Sequence, residues 1–394
     1  MQLNHVRVIA LLNGSQLFGL QRANIEVLKT IRELGASVSV GVNQQNNGGE
    51  VGRLSRELKF RTFAVPYGCQ WSKTFFRRNP ILLPKNLMRV AACSRLVGRE
   101  AKKIDATHVH LGSPNVYSFI APWIKIAKTN LVYRMGDEPP HDSKPNLMIW
   151  KSCFNRSNFV VANSKFVRSS IERAIGKEKP KLRLIYNVAP SQYSTPVLDN
   201  AKSHTNRNYR ILFVGQLSPH KGIEHFLDAA IQLVQLNKSL NFDIVGGSEY
   251  DPKFELSLRK RVKDLAMQSH ILFHGQVANT EPFYRNADLL VVPSLFEEPA
   301  ANVVLEAKCY GVPSIVYPSG GLPELVIDRV NGFVCYEKTV LALTQGIRWL
   351  IEKPERIPSM KIAAIEDSEN RFGIERFARQ WADVYSNSTN INNQ

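Results

Sequence analysis

The chain has 394 residues, 44% hydrophobic and 22% charged, which suits two folded domains and excludes a disordered, collagen-like or disulfide-scaffold protein. The formal net charge is +17 at pH 7, and the excess is one-sided: residues 1–190 hold 30 basic and 11 acidic side chains, residues 191–394 hold 21 and 23. One half is therefore expected to meet an anionic surface, nucleic acid or acidic lipid, while the other half does something else.

The opening MQLNHVRVIALLNGSQ reads as a first strand rather than a signal peptide, since Arg7 interrupts its apolar run. From there, short β-branched runs alternate with amphipathic helical stretches, the pattern of parallel sheets flanked by helices. In the first half the expected strands are Val6–Leu12, Ser37–Val42, Arg61–Val65, Thr107–Leu111, Asn130–Arg134, Asn158–Ala162 and Leu182–Tyr186. Ala189–Tyr209 is polar, carries two prolines and has no apolar period, so it reads as a linker. The alternation restarts with strands at Ile211–Val214, Phe242–Val245, Ile271–Phe273, Leu289–Val292 and Ser314–Val316. The expected organisation is an α/β domain over 1–190, a linker over 191–209, a second α/β domain over 210–370, a last helical stretch within 371–387 and a disordered tail over 388–394. Ile374–Tyr385 turns Phe377, Trp381, Val384 and Tyr385 to one side, with no partner fixed by the sequence.

Cys69, Cys93, Cys153, Cys309 and Cys335 are scattered and form no C-x-x-C pair. Neither a disulfide framework nor a zinc site is expected, and a reducing compartment fits. No run of 18 apolar residues occurs, so a cytoplasmic chain without a spanning segment is expected.

The most informative segment is PSLFEEPAANVVLEAKCYGVPSIVYPSGGLPELV, Pro293–Val326. Pro299 suits the first turn of a helix continuing to Gly311, so the amides of Ala300, Ala301 and Asn302 are expected as unsatisfied donors at a positive helix end, ready for a phosphate. Glu298 and Glu306 bracket this start. Eight helical residues rise about 12 Å, too far for the paired carboxylates of a retaining glycosidase, though suited to gripping opposite ends of one extended ligand. A carboxylate complementing the helix dipole and an exposed mid-helix Glu remain the plainer alternative.

A second glycine-punctuated turn, ILFVGQLSPHKGIEHF, sets Gly215 and Gln216 at a strand end and Lys221–Gly222 before a helix, short of a full P-loop. In the first half, LLNGSQLFGLQRAN is a third unit of this kind, containing Gly14 and Gly19. His108 and His110 share one face of a strand. Metal binding there lacks a third ligand in the sequence, and a hydrogen-bonded, partly buried histidine is the alternative. The loop Tyr133–Lys144 gathers Asp137, Glu138, His141 and Asp142, which either line an acceptor site or belong to a loop shaped by Pro139–Pro140.

Together these segments resemble the retaining glycosyltransferases of family 4, within glycosyl transferases group 1. The E-x7-E signature falls on Glu298–Glu306, the G-V-P on Gly311–Pro313, the G-G-x-x-E on Gly320–Glu324 and the G-x-L-x-x-x-K-G loop on Gly215–Gly222. The family's G-G-x-E-R loop is matched in part by Phe18–Arg22.

The resemblance implies the GT-B fold: α/β, two Rossmann-like parallel-sheet domains facing across a cleft, with the C-terminal helix crossing back to the first. It also implies a UDP- or GDP-linked sugar as co-substrate, with no prosthetic group and no metal. Glu298 would contact donor-sugar hydroxyls and Glu306 the ribose, and His110 would approach the transferred sugar. Lys221 would hold the diphosphate with the amides near Ala301 and Asn302, helped by Gly215, Gln216 and Gly19. Asp137, Glu138 and His141 would stand on the acceptor side.

Two departures are visible. Gln216 stands where the family usually has Arg, replacing a charge-assisted contact of about 1.5–3 kcal/mol by a neutral one. Ala300–Ala301 stands where Phe-Gly is usual, which keeps the amides.

Residues 50–105 hold 13 basic and 4 acidic side chains, with Trp71, Phe75, Phe76 and Met88 among Lys73, Arg77, Arg78, Lys85 and Arg89. The mixture suits docking on an anionic membrane surface that presents a glycan or lipid-linked acceptor, making the chain peripheral on the inner face. An ordinary amphipathic helix with solvated charges is the alternative. Nucleic-acid binding is the rival from another class, disfavoured because no helix-turn-helix, RRM or zinc pattern occurs. A nucleotide-sugar epimerase or a phosphorylase on the same fold is the rival enzyme.

Overall fold

The structure is a computed structural model that describes residues 2–67, 82–141, 143–176, 179–189, 208–248 and 251–387. Most of the expected linker, the tail over 388–394, Asp142, and the segment holding Trp71, Lys73, Phe75, Phe76, Arg77 and Arg78 lie outside the described residues. The chain divides into two compact units, Met1–Asn187 with Glu375–Gln394, and Val188–Ile374.

The first unit is built on seven parallel strands: β1 (Arg7–Leu12), β2 (Ser37–Asn43), β3 (Arg61–Val65), β4 (His108–Leu111), β5 (Asn130–Met135), β6 (Phe159–Ala162) and β7 (Leu182–Leu184). Their spatial order is β3-β2-β1-β4-β5-β6-β7. β1, β4, β5 and β6 are buried almost throughout, as strands covered on both faces must be; β6 and most of β1 read as apolar runs, whereas β4 and β5 also bury His108, His110, Asn130 and Arg134. Helices α1 (Gly19–Glu33), α2 (Gly49–Glu57), α3 (Leu82–Lys103), α4 (Pro114–Ile124), α5 (Lys144–Arg156) and α6 (Lys165–Ile175) connect them.

The second unit has six parallel strands: β8 (Tyr209–Val214), β9 (Leu240–Val245), β10 (Ile271–Gly275), β11 (Leu289–Val292), β12 (Ser314–Val316) and β13 (Gly332–Val334), in the order β10-β9-β8-β11-β12-β13. β13 is an addition to the strands expected from sequence. Its three residues begin with a glycine that lies against β12, where a β-carbon would stand 2.2 Å from the Ser314 carbonyl oxygen. Helices α7 (Ile223–Leu236), α8 (Pro252–Asp264), α9 (Glu281–Asn286), α10 (Asn302–Cys309), α11 (Leu322–Leu325), α12 (Val340–Ile351) and α13 (Ile357–Phe372) complete it. Phe213, Phe226, Phe242, Ile244 and Ile315 pack in its core.

The last helix, α14 (Ile374–Asn387), joins the first unit. Phe377, Trp381, Val384 and Tyr385, the residues that share its apolar side, are all buried, and Arg376 donates to the carbonyls of Tyr186 and Asn187 at 3.1 and 3.3 Å. Burying one large aromatic is worth about 1.5–3 kcal/mol, so this face anchors the helix with several such contributions. Among the described residues, no helix is long and apolar enough to cross a membrane.

In both sheets the connection direction reverses beside the first strand, between β1 and β4 and between β8 and β11. Open α/β sheets bind ligands at the carboxyl ends of strands flanking such a reversal.

Candidate functional site

In the second unit the reversal brings together two loops distant in sequence. Residues 215–222 follow β8, and residues 293–301 follow β11, its sheet neighbour. Contact between them is close: Gly222 has φ +72°, and a β-carbon there would lie 1.8 Å from the carbonyl oxygen of Pro293. Only glycine satisfies both demands. The result is a pairing across 77 positions, in which Lys221 Nζ donates to Glu298 Oε2 at 2.7 Å. Ser294 Oγ donates to the same oxygen at 3.1 Å. The ammonium also lies 4.8 Å from the centroid of the Phe296 ring. Glu298 has a 10% exposed side chain and Lys221 a 28% exposed one, so the pair is sheltered but reachable.

Gly320 and Gly321, in the loop that follows β12, complete this edge. Gly321 N–H donates to the Glu298 carbonyl at 2.7 Å, and Gly320 N–H donates to Glu297 Oε2 at 2.5 Å. Lys338 bonds Glu297 at 2.6 Å, and that bond is the main reason the Glu297 carboxyl is held below its usual range. Glu297 thus fixes the loop, leaving Glu298 for Lys221.

The helix after Glu298 starts later than its sequence suggests. Ala301 is extended, with φ −96° and ψ 108°, and α10 begins at Asn302, so Pro299 precedes the helix instead of opening it. The first turn of that helix accordingly begins at Asn302 and not at Pro299. The 12 Å helical rise between Glu298 and Glu306 also does not apply, because only the second part of that span is helical. Ala301 supplies no side-chain cap, so the positive end of α10 is left facing the loop that carries Glu298. Within α10, Glu306 is buried and accepts from Tyr284 Oη at 2.8 Å. Tyr284 itself stacks on Tyr310 at 5.7 Å. Lys308, two residues on, is buried against Asp367 of α13 at 2.6 Å. Asn331 also donates to Asp367, at 3.1 Å. Gly215 and Gln216 are half-buried at the end of β8, in the same loop as Lys221.

In the first unit His110 sits at the end of β4, beside β1, and is fully buried. Asn24 of α1 gives Nδ2–H to the Leu20 carbonyl, so its Oδ1 accepts from His110 Nε2 at 3.0 Å. Nδ1 then accepts from the Tyr385 hydroxyl at 2.8 Å. The ring is neutral, and burial pushes its pKa down to about 3. A direct approach of His110 to a ligand, as the family resemblance implies, would need one of these two partners to move away first. His108, also buried, is lowered to about 4 for the same main reason.

Gly19 opens α1 without a capping side chain. Asp137 lies near buried Arg134 and helps keep that guanidinium charged against its burial. Glu138 accepts from Ser170 Oγ and faces Arg173 at 3.9 Å, so it is directed at α6. His141 is exposed. Tyr284, Ser294, Glu297 and Tyr385 have places in these networks that no local sequence pattern marks.

Two Rossmann-like units, each with a reversal at its first strand, define the GT-B class of fold. Anabaena HepE, solved in complex with UDP and glucose, superimposes over 97% of this chain and 100% of its own at a TM-score of 0.77 and 21% identity. Residues 196–367 match the family described as Glycosyl transferases group 1.

An uncharacterized glycosyltransferase of Haemophilus influenzae is 28% identical over 214 residues, 54% of this chain and 58% of that protein. Another, of Methanocaldococcus jannaschii, is 24% identical over 304 residues, 72% of this chain and 75% of its own. The chain thus spans little more than half the length of the first and three quarters of the second.

Proposed function

We propose that the chain is a retaining glycosyltransferase that moves a sugar from a UDP- or GDP-linked donor to a hydroxyl of a glycan or lipid-linked acceptor, without a metal. The observation that carries this reading is the sheltered Lys221–Glu298 pair set beside the uncapped start of α10. Anabaena HepE was solved with UDP and glucose, which supports a nucleotide sugar as the co-substrate.

An ammonium has three donors. In Lys221 one is on Glu298, and the Phe296 face takes part of the remaining charge, which leaves directions open for a diphosphate. Bond cleavage at the anomeric carbon leaves negative charge on the departing nucleotide diphosphate. Lys221 and the α10 amides stabilise that charge in place, with little reorganisation. Glu298 holds donor-sugar hydroxyls. Glu306, oriented by Tyr284, accepts from the ribose. Acceptor attack on the face that the diphosphate leaves gives retention.

His110 acts by positioning: through Asn24 it fixes the first turns of α1, which Gly19 opens. Asp137 and His141 are assigned to the acceptor side, and Glu138 to holding their loop on α6.

The test is donor-sugar transfer by Lys221→Ala, Glu298→Ala and His110→Ala. Loss of turnover in the first two supports the reading; near-normal turnover in all three contradicts it. Transfer to an acceptor, rather than epimerisation or phosphorolysis of the donor, separates the rival enzymes.

A further inference from the structure

Helix α3 carries six basic residues and one acidic residue, Glu100. Glu100 is turned away to Arg61, at 2.5 Å. The opposite flank presents Met88, Arg95, Arg99 and Lys102 at helical spacing, all exposed, and none of these three cations pairs with an acid among the described residues. Beside them, α3 and the end of α4 enclose a groove of about 530 Å³ lined by Arg95, Arg99, Lys102, Trp123 and Ile126.

This groove has a built floor. A β-carbon at Gly98 would stand 2.6 Å from Trp123 Cδ1 and 2.9 Å from Nε1, so the absence of a side chain at position 98 lets the indole lie against the α3 backbone. The indole N–H has no acceptor among the described residues. Ile126 is 84% exposed at the groove's end, and Met88 on the α3 flank is 67% exposed.

We propose that this groove is the seat of an anionic phospholipid headgroup, which docks the first unit on an acidic bilayer. Arg95, Arg99 and Lys102 take lipid phosphates, and Trp123 donates its N–H at headgroup depth. Ile126 and Met88 enter the acyl boundary.

Charge alone would equally suit a nucleic-acid backbone; the neighbouring groups decide against it. Aliphatic side chains exposed beside cations gain nothing on a duplex. The Trp123 ring, committed to the helix backbone at Gly98, offers no free platform for stacking bases. The inference deepens the function proposed above by naming the surface on which a lipid-linked acceptor is met, and it rests on that reading only for its purpose.

The experiment is co-sedimentation of the full chain with phosphatidylcholine vesicles, with and without phosphatidylglycerol. Each cation near an anionic surface is worth roughly fivefold in partition, so Arg95→Gln/Arg99→Gln/Lys102→Gln is expected to lower binding to the acidic vesicles roughly 100-fold. Ile126→Glu is expected to lower it as well, while Arg95→Lys/Arg99→Lys keeps most of it. Wild-type-like sedimentation of the triple variant, or equal binding to neutral vesicles, overturns the proposal. So does tighter binding to a DNA duplex than to vesicles, if it is lost in the same variant. A thermal shift with nucleotide sugar is run on the same samples. Its absence in the wild-type chain would contradict the proposed function while leaving the vesicle result to stand alone.

Discussion

Tyr385→Phe removes one oxygen from a site with no access to water. Both Tyr385 and His110 are fully buried, and the lost hydrogen bond is 2.8 Å long. The other ring nitrogen is committed to Asn24, so Nδ1 must accept, and Phe leaves it with no donor. Protonation offers no escape near neutral pH, because burial holds the ring's pKa down at about 3. The expected cost is the desolvation of one buried acceptor, about 1–3 kcal/mol, from the first unit. With a urea dependence of about 2–3 kcal/mol per molar, its midpoint should fall by about 0.3–1.5 M. Two units need not unfold together, so the readout is hydrogen exchange of the segment 374–387 at increasing urea. An unchanged opening free energy there would refute the reasoning. So would a Tyr385→Phe/His110→Leu double variant whose cost is the plain sum of the two single ones.

The same histidines set a pH dependence. His110 and His108 are lowered from an ordinary value near 6.5 to about 3 and about 4. The unfolded chain therefore binds more protons below pH 6.5, and stability is lost as pH falls through that window. Between pH 7 and 5, His110 alone accounts for about 2 kcal/mol. Urea midpoints of the first unit at the two pH values measure this, and a flat profile contradicts it. Gly222→Ala must accommodate a β-carbon 1.8 Å from Pro293 O at φ +72°. It should separate the two loops and cost at least about 2 kcal/mol of second-unit stability by urea titration, with loss of nucleotide binding. Lys308→Met removes the shortest of the bonds to buried Asp367 and leaves it Arg371 at 3.2 Å and Asn331 at 3.1 Å, so it should cost about 1.5–3 kcal/mol in thermal melts, and an unchanged melting temperature would contradict this.

Much of the architecture was legible because strands covered on both faces announce themselves as apolar runs. Twelve of the strands follow from short β-branched runs alternating with helical stretches, with ends displaced by a residue or two; the half-exposed edge strand β3 and the histidine-bearing β4 were found by that alternation and not by an apolar run. β13 escaped it, being three residues long and led by a glycine, so its identity depends on pairing with β12. The start of α10 was misread because proline suits a first helical turn and also an extended approach, and nothing local distinguishes them at Pro299.

At the site, the glycine-marked loops and both glutamates stood out in the sequence, but their partners did not. Lys221 meets Glu298 because β8 is hydrogen-bonded to β11, and Tyr284 reaches Glu306 across 22 positions. His110 read as an open group at a strand end. Only the return of α14 to the first unit shows it closed from two sides.

The central claim is that Lys221 and Glu298 hold a nucleotide-diphosphate sugar, and calorimetric titration of the chain with UDP- and GDP-sugars tests it most directly. The account predicts that one of these donors binds the wild-type chain and that Lys221→Ala weakens it about 10- to 100-fold, the worth of one charge-assisted hydrogen bond to phosphate. Equal affinity of the Lys221→Ala and wild-type chains for that donor, or no binding of any nucleotide sugar, would contradict it.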